Sequence, residues 1–260
     1  MELNLNNKSA LVCGSTQGIG RATAVALASE GTRVTLVARN EEKLKKIVSE
    51  LPKTAAHDYI VADFSNPEEL KINVEKYLNS HKGFHILINN TGGPRSGAIL
   101  EATLEQFESA FTQHLKCNHV LTQLVVPFMK SEKYGRIINV ISTSVKEPIE
   151  GLGVSNTIRN AVGNWSKTLS FELGAFGITV NNVLPGFTET ERLNEIIEIK
   201  AKKAKVTFKE MENIMKTYTP AKRFAKPEET ANTIVFLASE AAGYINGINI
   251  PVDGGRTKSL

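Results

Sequence analysis

Short, continuously apolar runs alternate with longer amphipathic stretches along most of the chain. Ser9–Cys13 is the first such run; it passes into a glycine-rich loop and then into a helical pattern from Thr23 to Ala28. A second β-rich run, Arg33–Ala38, follows Gly31, and the charged stretch Glu41–Leu51 reads as a helix stopped by Pro52. Tyr59–Ala62 reads as a third strand, Pro67–Asn79 as a helix opened by an Asn66 cap, and His85–Asn89 as a fourth strand. The pattern then predicts one long helix over about Leu104–Met129, a strand over Arg136–Ile141, a helix over Leu152–Ala175 and a strand over Thr179–Leu184. A helix over Glu228–Ala238 and a strand over Ile248–Val252 close the series. Strands apolar on both faces, alternating with helices, imply an α/β fold: a doubly wound parallel sheet of about seven strands in a single domain.

The segment Thr190–Thr217 breaks this rhythm. It is charged, reads as helical and emerges beyond the sixth strand, at the carboxyl end of the sheet, where open parallel sheets bind ligands. The expectation is therefore one domain over 1–260 with a helical cover at about 190–217; a surface insertion without a role is the alternative. Leu193, Ile196, Ile197, Met211, Ile214 and Met215 give this segment an apolar side, which would pack on the domain or accommodate an acyl chain.

Composition narrows the class. With 41% apolar and 22% charged residues among 260, the chain is too apolar for disorder and supports one sizeable core. No apolar run reaches the roughly 20 residues of a membrane helix, and Met1–Ala10 lacks the apolar stretch of a secretory signal, so no membrane partner is expected. Cys13 and Cys117 alone make a disulfide framework improbable, which points to a reducing cytoplasm. The formal charge of +4 is too weak and too general to imply nucleic acid by itself. Much of the surplus lies in Lys200, Lys202, Lys203, Lys205 and Lys209, either a solvated helix face or a basic cover that attracts an anion. His57, His81, His85 and His119 lack metal-ligand spacing, so no metal site is expected.

Candidate chemistry begins at Gly14-Ser15-Thr16-Gln17-Gly18-Ile19-Gly20, between the first strand and the first helix. Glycines let backbone N–H groups approach a pyrophosphate, and the helix N-terminus adds partial positive charge. At the end of the second strand, where a carboxylate would bind a ribose 2′-hydroxyl, the chain has Ala38 and then Arg39. A guanidinium suits a 2′-phosphate, so NADP(H) is expected in preference to NAD(H).

These motifs carry a resemblance over essentially the whole chain. The glycine loop, Ala62-Asp63-Phe64, Asn89-Asn90-Thr91-Gly92, Pro185-Gly186 and Val252-Asp253-Gly254-Gly255 together resemble the short-chain dehydrogenase/reductase family, nearest its 3-oxoacyl-carrier-protein-reductase-like branch. The resemblance implies a Rossmann-type fold, with Asp63 at the adenine, Asn89 and Asn90 beside the adenosine ribose and central sheet, and Thr188, just after Pro185 and Gly186, at the nicotinamide carboxamide. It also implies a homotetramer, with Gly163 and Trp165 near one interface, and a carbonyl substrate, a 3-oxoacyl thioester being the natural first guess.

The catalytic pattern departs from that family. Enzymes of this kind use a serine, a tyrosine and a lysine four residues after the tyrosine; here Ser142 stands at the serine position, but Ser155 and Arg159 fall where tyrosine and lysine are expected. An aliphatic hydroxyl is a far weaker acid than a phenol, and Arg stays protonated, so Arg159 retains a ribose contact and positive field without relaying protons. His114 occupies the position of an asparagine often found on the long helix, and its imidazole is a candidate proton donor. Tyr218 and Lys222 share the tyrosine–lysine spacing, but Pro220 between them breaks a helix face. Two functions remain open: an NADP-dependent oxidoreductase with altered proton delivery, or a catalytically inactive NADP-binding sensor or partner subunit.

Overall fold

β1 (Ser9–Cys13) is buried along its whole length and lies parallel to β2 (Arg33–Ala38) on one side and β4 (Ile86–Asn89) on the other. The computed structural model describes residues 1–259. Its parallel sheet runs β3 (Asp58–Val61), β2, β1, β4, β5 (Gly135–Val140), β6 (Ile178–Pro185) and β7 (Asn249–Val252), giving the doubly wound, Rossmann-type architecture. Successive strand side chains point to opposite faces, so each face acquires its own apolar layer. Val12, Leu36 and Ile88 meet Ala24 and Leu27 of α1 (Gly18–Ser29) and Ile234 of α9 (Pro227–Ala238). Their neighbours Leu11, Val37 and Leu87 meet Leu70 of α3 (Pro67–Leu78) and Leu121 of α5 (Cys117–Ser131) on the other face.

The chain moves outward from β1 through β2 and β3, joined by α2 (Glu41–Glu50), then returns to the centre as β4. The connections leaving β1 and β4 thus diverge, and a crevice opens beyond their carboxyl ends. Both ends carry motifs already singled out: Gly14–Gly20 after β1 and Asn90–Gly92 after β4.

The expected helix over Leu104–Met129 is two helices. α4 (Leu104–Phe111) ends in a π-helical turn at Thr112–Lys116, and α5 then runs to Ser131. Such turns lack a signature in apolar periodicity and often occur where a side chain must be re-aimed; this one contains His114. α6 (Gly153–Leu173) follows β5 as expected.

The segment 190–217 is a pair of helices, α7 (Glu191–Ala204) and α8 (Phe208–Thr217). The break is set by Lys205, in the left-handed region at φ 55°, and by a reciprocal cap between Thr207 and Glu210. Its apolar residues pack together and onto Phe224 beyond the segment: Leu193 and Ile197 meet Met211 and Met215, while Ile214 stays exposed. Among the described residues no helix is long and apolar enough to cross a membrane.

Candidate active site

The glycine loop is shaped by contacts that tolerate no larger side chain. Gly14 has φ +58°, and a Cβ there would collide with the Asn90 carbonyl; one on Gly20 would collide with the Gly14 carbonyl. Asn90 Nδ2 braces the turn by donating to the carbonyls of Cys13 and Gly14, each at 3.3 Å. Ser15 is buried beneath it, and Ile19 packs against the sheet layer. Thr16, Gln17 and Gly18 border an open groove of about 500 Å³ shared with Thr190 at the start of α7.

Helix termini show what this loop is prepared to hold. α2 and α3 are capped by the side chains of Asn40 and Asn66 and carry acidic residues in their first turns. The cap residue of α1, Gln17, makes no side-chain cap, and no acid lies in that helix's first turn. Its first N–H groups and positive dipole end are thus available to an anion. Arg39, 76% exposed at its side chain, stands beyond β2 with Nη1 4.0 Å from Asp63 Oδ2. Asp63 also accepts the Ser65 N–H at 2.9 Å. A tight turn, an uncapped helix end and an exposed guanidinium fit a pyrophosphate bearing an additional 2′-phosphate.

Asn89 serves the sheet. Its Nδ2 donates to Asn139 Oδ1 at 2.8 Å, Asn139 Nδ2 donates to Asn182 Oδ1 at 3.0 Å, and Asn182 Nδ2 donates to Asn249 Oδ1 at 2.8 Å. The four residues are in register across β4, β5, β6 and β7, and the row ends in a buried Asn89 Oδ1 that lacks a partner.

Beyond the ends of β4, β5 and β6 the expected catalytic residues gather in part. Ser142 Oγ accepts the Ser144 N–H at 3.1 Å, which leaves its own O–H free to donate. Ser155 and Arg159, one turn apart on α6, are 9% and 7% exposed. Ser155 makes no side-chain hydrogen bond among the described residues. Arg159 Nη1 donates to the Val140 carbonyl at 2.9 Å, and Nη2 reaches the Thr91 carbonyl only at 3.5 Å. Its Nε has no partner, and among the described residues no carboxylate pairs with it. Burial pushes its pKa down to about 10, so it remains a cation at neutral pH.

His114 is buried, and its Nδ1 lies 2.6 Å from Thr91 Oγ1. Burial foremost, and then the nearby Arg159 charge, hold its pKa well below the ordinary 6.5. The imidazole is therefore neutral at physiological pH, not the imidazolium that a histidine acid near its ordinary pKa would supply. Pro185 ends β6, Gly186 N–H donates to the Val252 carbonyl at 3.0 Å, and buried Thr188 turns its hydroxyl onto the Gly186 carbonyl at 3.3 Å. Tyr218 lies beyond the end of α8, mostly exposed, and Lys222 Nζ is bound to the Thr217 carbonyl at 3.0 Å, so the two form no dyad.

Contacts spanning long sequence separations complete the site, and the sequence reading missed them. Arg192 of α7 donates from Nη2 to the Pro94 carbonyl at 2.9 Å, tying the helical segment to the loop after β4. Glu147, in the loop after Ser142, accepts the N–H groups of Lys258 and Ser259 at 2.7 and 2.6 Å. Arg256 lies over the Phe187 ring, 4.3 Å from its centroid. Neither spacing nor periodicity connects residues so far apart along the chain.

A family model described as Enoyl-(Acyl carrier protein) reductase matches residues 14–257. The 3-oxoacyl-[acyl-carrier-protein] reductase FabG of Aquifex aeolicus is 33% identical over 98% of this chain and 99% of its own length. The NADPH-dependent reductase BacG of Bacillus subtilis is 30% identical over 98% and 100%. L-sorbose reductase from Gluconobacter frateurii, solved with NADPH and L-sorbose, superposes over 100% of both chains at a TM-score of 0.94 and 32% identity. Matched from its glycine loop to its final motif by that family model and by these relatives, the chain belongs to the short-chain dehydrogenase/reductase family.

Proposed function

We propose that this protein is an NADP(H)-dependent oxidoreductase that interconverts a carbonyl and an alcohol on a small molecule, with proton delivery altered by Ser155 and Arg159. The observation that carries this reading is the uncapped N-terminus of α1 behind the glycine loop, with Arg39 and no acid at the end of β2. The NADPH-dependent relatives support it. The backbone of Gly14–Gly20 would hold the pyrophosphate, Arg39 the 2′-phosphate, Asp63 the adenine, Thr188 the carboxamide and Arg159 the nicotinamide ribose. Asn90 keeps the glycine loop in shape, Asn89 fixes the strand beneath it, and Pro185 with Gly186 closes the far end. When bound, the nicotinamide supplies or accepts a hydride.

Ser142 donates its free O–H to the carbonyl oxygen, and Arg159 stabilises negative charge developing there. Ser155 orients the carbonyl or a water. The proton comes from water, with the Thr91–His114 pair positioned to pass it on, since no phenol replaces the missing tyrosine within the cluster. General acid catalysis typically contributes about 10² to 10⁴ in rate, so its loss slows the reaction without abolishing it. A 3-oxoacyl thioester is the first substrate to try, under a cover formed by α7 and α8. Homotetramer assembly would cover large exposed side chains such as Phe171 and Tyr244. Two free, buried cysteines suit a reducing cytoplasm.

The test is NADPH oxidation against ketoacyl thioesters, ketones and sugars, in the native protein and in Ser142→Ala. Turnover that falls about 100-fold or more in the variant supports the reading. A second reading, a nucleotide sensor without turnover, is favoured by the replacement of both the phenol and the lysine. It predicts tight NADPH binding, no activity on any carbonyl compound and a nucleotide-dependent change in association with another protein.

A further inference from the structure

Arg256 is a half-buried guanidinium without an ion-pair partner among the described residues, and it stands at the carboxyl end of β6. Phe187, on which it stacks, comes directly after the Pro185-Gly186 segment that ends β6. Two acids, Asp253 and Glu147, lie close enough to favour its charge, but neither is in ion-pair contact with it and both take their hydrogen bonds from backbone. Asp253 accepts the N–H groups of Gly255 and Thr257 at 3.0 and 2.7 Å, and Glu147 accepts those of Lys258 and Ser259.

The placement of Arg256 is built. Residues 253–259 are folded back by the Asp253 turn, latched to the loop after β5 through Glu147, and held from the other side where Ala221 N–H donates to the Gly254 carbonyl at 3.2 Å. A segment fixed at three points presents one arginine. At the ends of β4 and β5 lies a second guanidinium without a carboxylate in contact among the described residues, Arg159, 7% exposed. A buried cation without an anion in contact is costly, which is the case of Arg159; Arg256 is half-buried, with two carboxylates in its field but none in ion-pair contact. The phosphates of the dinucleotide are assigned to the opposite end, at α1 and Arg39, and so do not occupy the N–H edge of Arg256.

We infer that the substrate carries a carboxylate, which Arg256 binds from the Phe187 side of the cleft while Arg159 acts on the reacting oxygen. The inference rests on the oxidoreductase reading of the same cleft and narrows its substrate to carbonyl compounds that are also acids. A planar guanidinium with its face on an aromatic ring keeps its N–H edge free for bidentate pairing with such a group.

The experiment uses matched pairs, 2-oxo and 4-oxo carboxylic acids with their methyl esters, on the NADPH-loaded protein. Turnover is followed by NADPH oxidation, and binding of the corresponding unreactive carboxylates by calorimetry. Expected is a kcat/KM about 10- to 100-fold higher for acids than for esters, expressed chiefly in KM. Arg256→Gln should bring this ratio close to one, and Arg256→Lys should retain part of it, with the NADPH Kd of each variant reporting an intact fold. Equal rates for acid and ester, or a preference that survives Arg256→Gln, would overturn the inference and leave the oxidoreductase reading standing. Carboxylate binding that depends on Arg256 without turnover of any pair would uphold the anion site and remove the oxidoreductase reading. Absence of both binding and preference defeats the inference.

Discussion

Thr91 Oγ1 and His114 Nδ1 lie 2.6 Å apart, joining the loop after β4 to the one buried residue of a π-helical turn. The imidazole is held neutral by burial and by Arg159. In the unfolded chain the same histidine takes up a proton near its ordinary pKa of about 6.5. Below that pH the unfolded state therefore binds more protons, and stability falls as pH drops, by up to about 1.4 kcal/mol per pH unit for this one group. Urea unfolding between pH 7 and 5 should show this loss, and His114→Asn should flatten it. His85, also lowered mainly by burial, contributes equally in both proteins and cancels in the comparison. An unchanged slope in the variant would mean that His114 titrates normally.

Under the proposed function, Arg39 sets the choice between phosphorylated and unphosphorylated dinucleotide. Its one ion-pair contact, to Asp63, is long at 4.0 Å and leaves most of the guanidinium in solvent. Arg39→Ala should weaken NADPH binding by about 10- to 100-fold and leave NADH binding nearly unchanged. Fluorescence titration of the two nucleotides at fixed salt measures both. Equal loss for the two would place Arg39 away from the 2′-position.

Where the chemistry is local, the sequence was readable. β1 and the loop after it are adjacent along the chain, and both strand burial and glycine geometry leave a direct imprint on residue type, as at Val12 and Gly14. Ser142, Ser155 and Arg159 were placed by spacing within one strand–helix unit, and the structure brings Arg159 onto the Val140 carbonyl at the end of that strand. The π-helical turn at 112–116 was hidden because the apolar positions of α4 and α5 keep an almost continuous helical period across it. Arg256 was hidden for another reason: its meaning depends on Phe187 and on the engagement of Glu147, and no local pattern links these. Asn89 was assigned by family likeness to both ribose and sheet, and its amide hydrogen bond is made to the sheet.

α7 is tied to the body of the domain by the bond from Arg192 Nη2 to the Pro94 carbonyl, at 2.9 Å. A charged donor on a backbone carbonyl is among the stronger single hydrogen bonds, and here it bridges α7 and the loop after β4. Arg192→Ala should leave the small core of Leu193, Ile197, Met211 and Met215 intact, so the helices stay folded while their attachment loosens. Hydrogen exchange should quicken over 191–204, and KM should rise about 10-fold with little change in the NADPH Kd. Unchanged exchange would show that apolar packing alone holds the segment.

The asparagine row across β4 to β7 offers a test of how the floor of the site is fixed. Asn139 is its middle member: it accepts from Asn89 and donates to Asn182, in a layer otherwise built of apolar side chains. Asn139→Ala removes both bonds and leaves a buried donor on Asn89 and weakens the pairing of Asn182, whose Oδ1 still accepts from Ser166 Oγ at 2.9 Å. Each buried polar atom stranded in this way costs about 1 to 3 kcal/mol, and the vacated volume adds to it. A total loss of roughly 2 to 5 kcal/mol in denaturant unfolding is expected. Since Asn90 follows Asn89 directly and braces the Gly14 turn, the variant should also bind NADPH more weakly at temperatures where it is fully folded. A destabilised protein with undiminished affinity would show that the glycine loop is held by Asn90 alone, independently of the row beneath it.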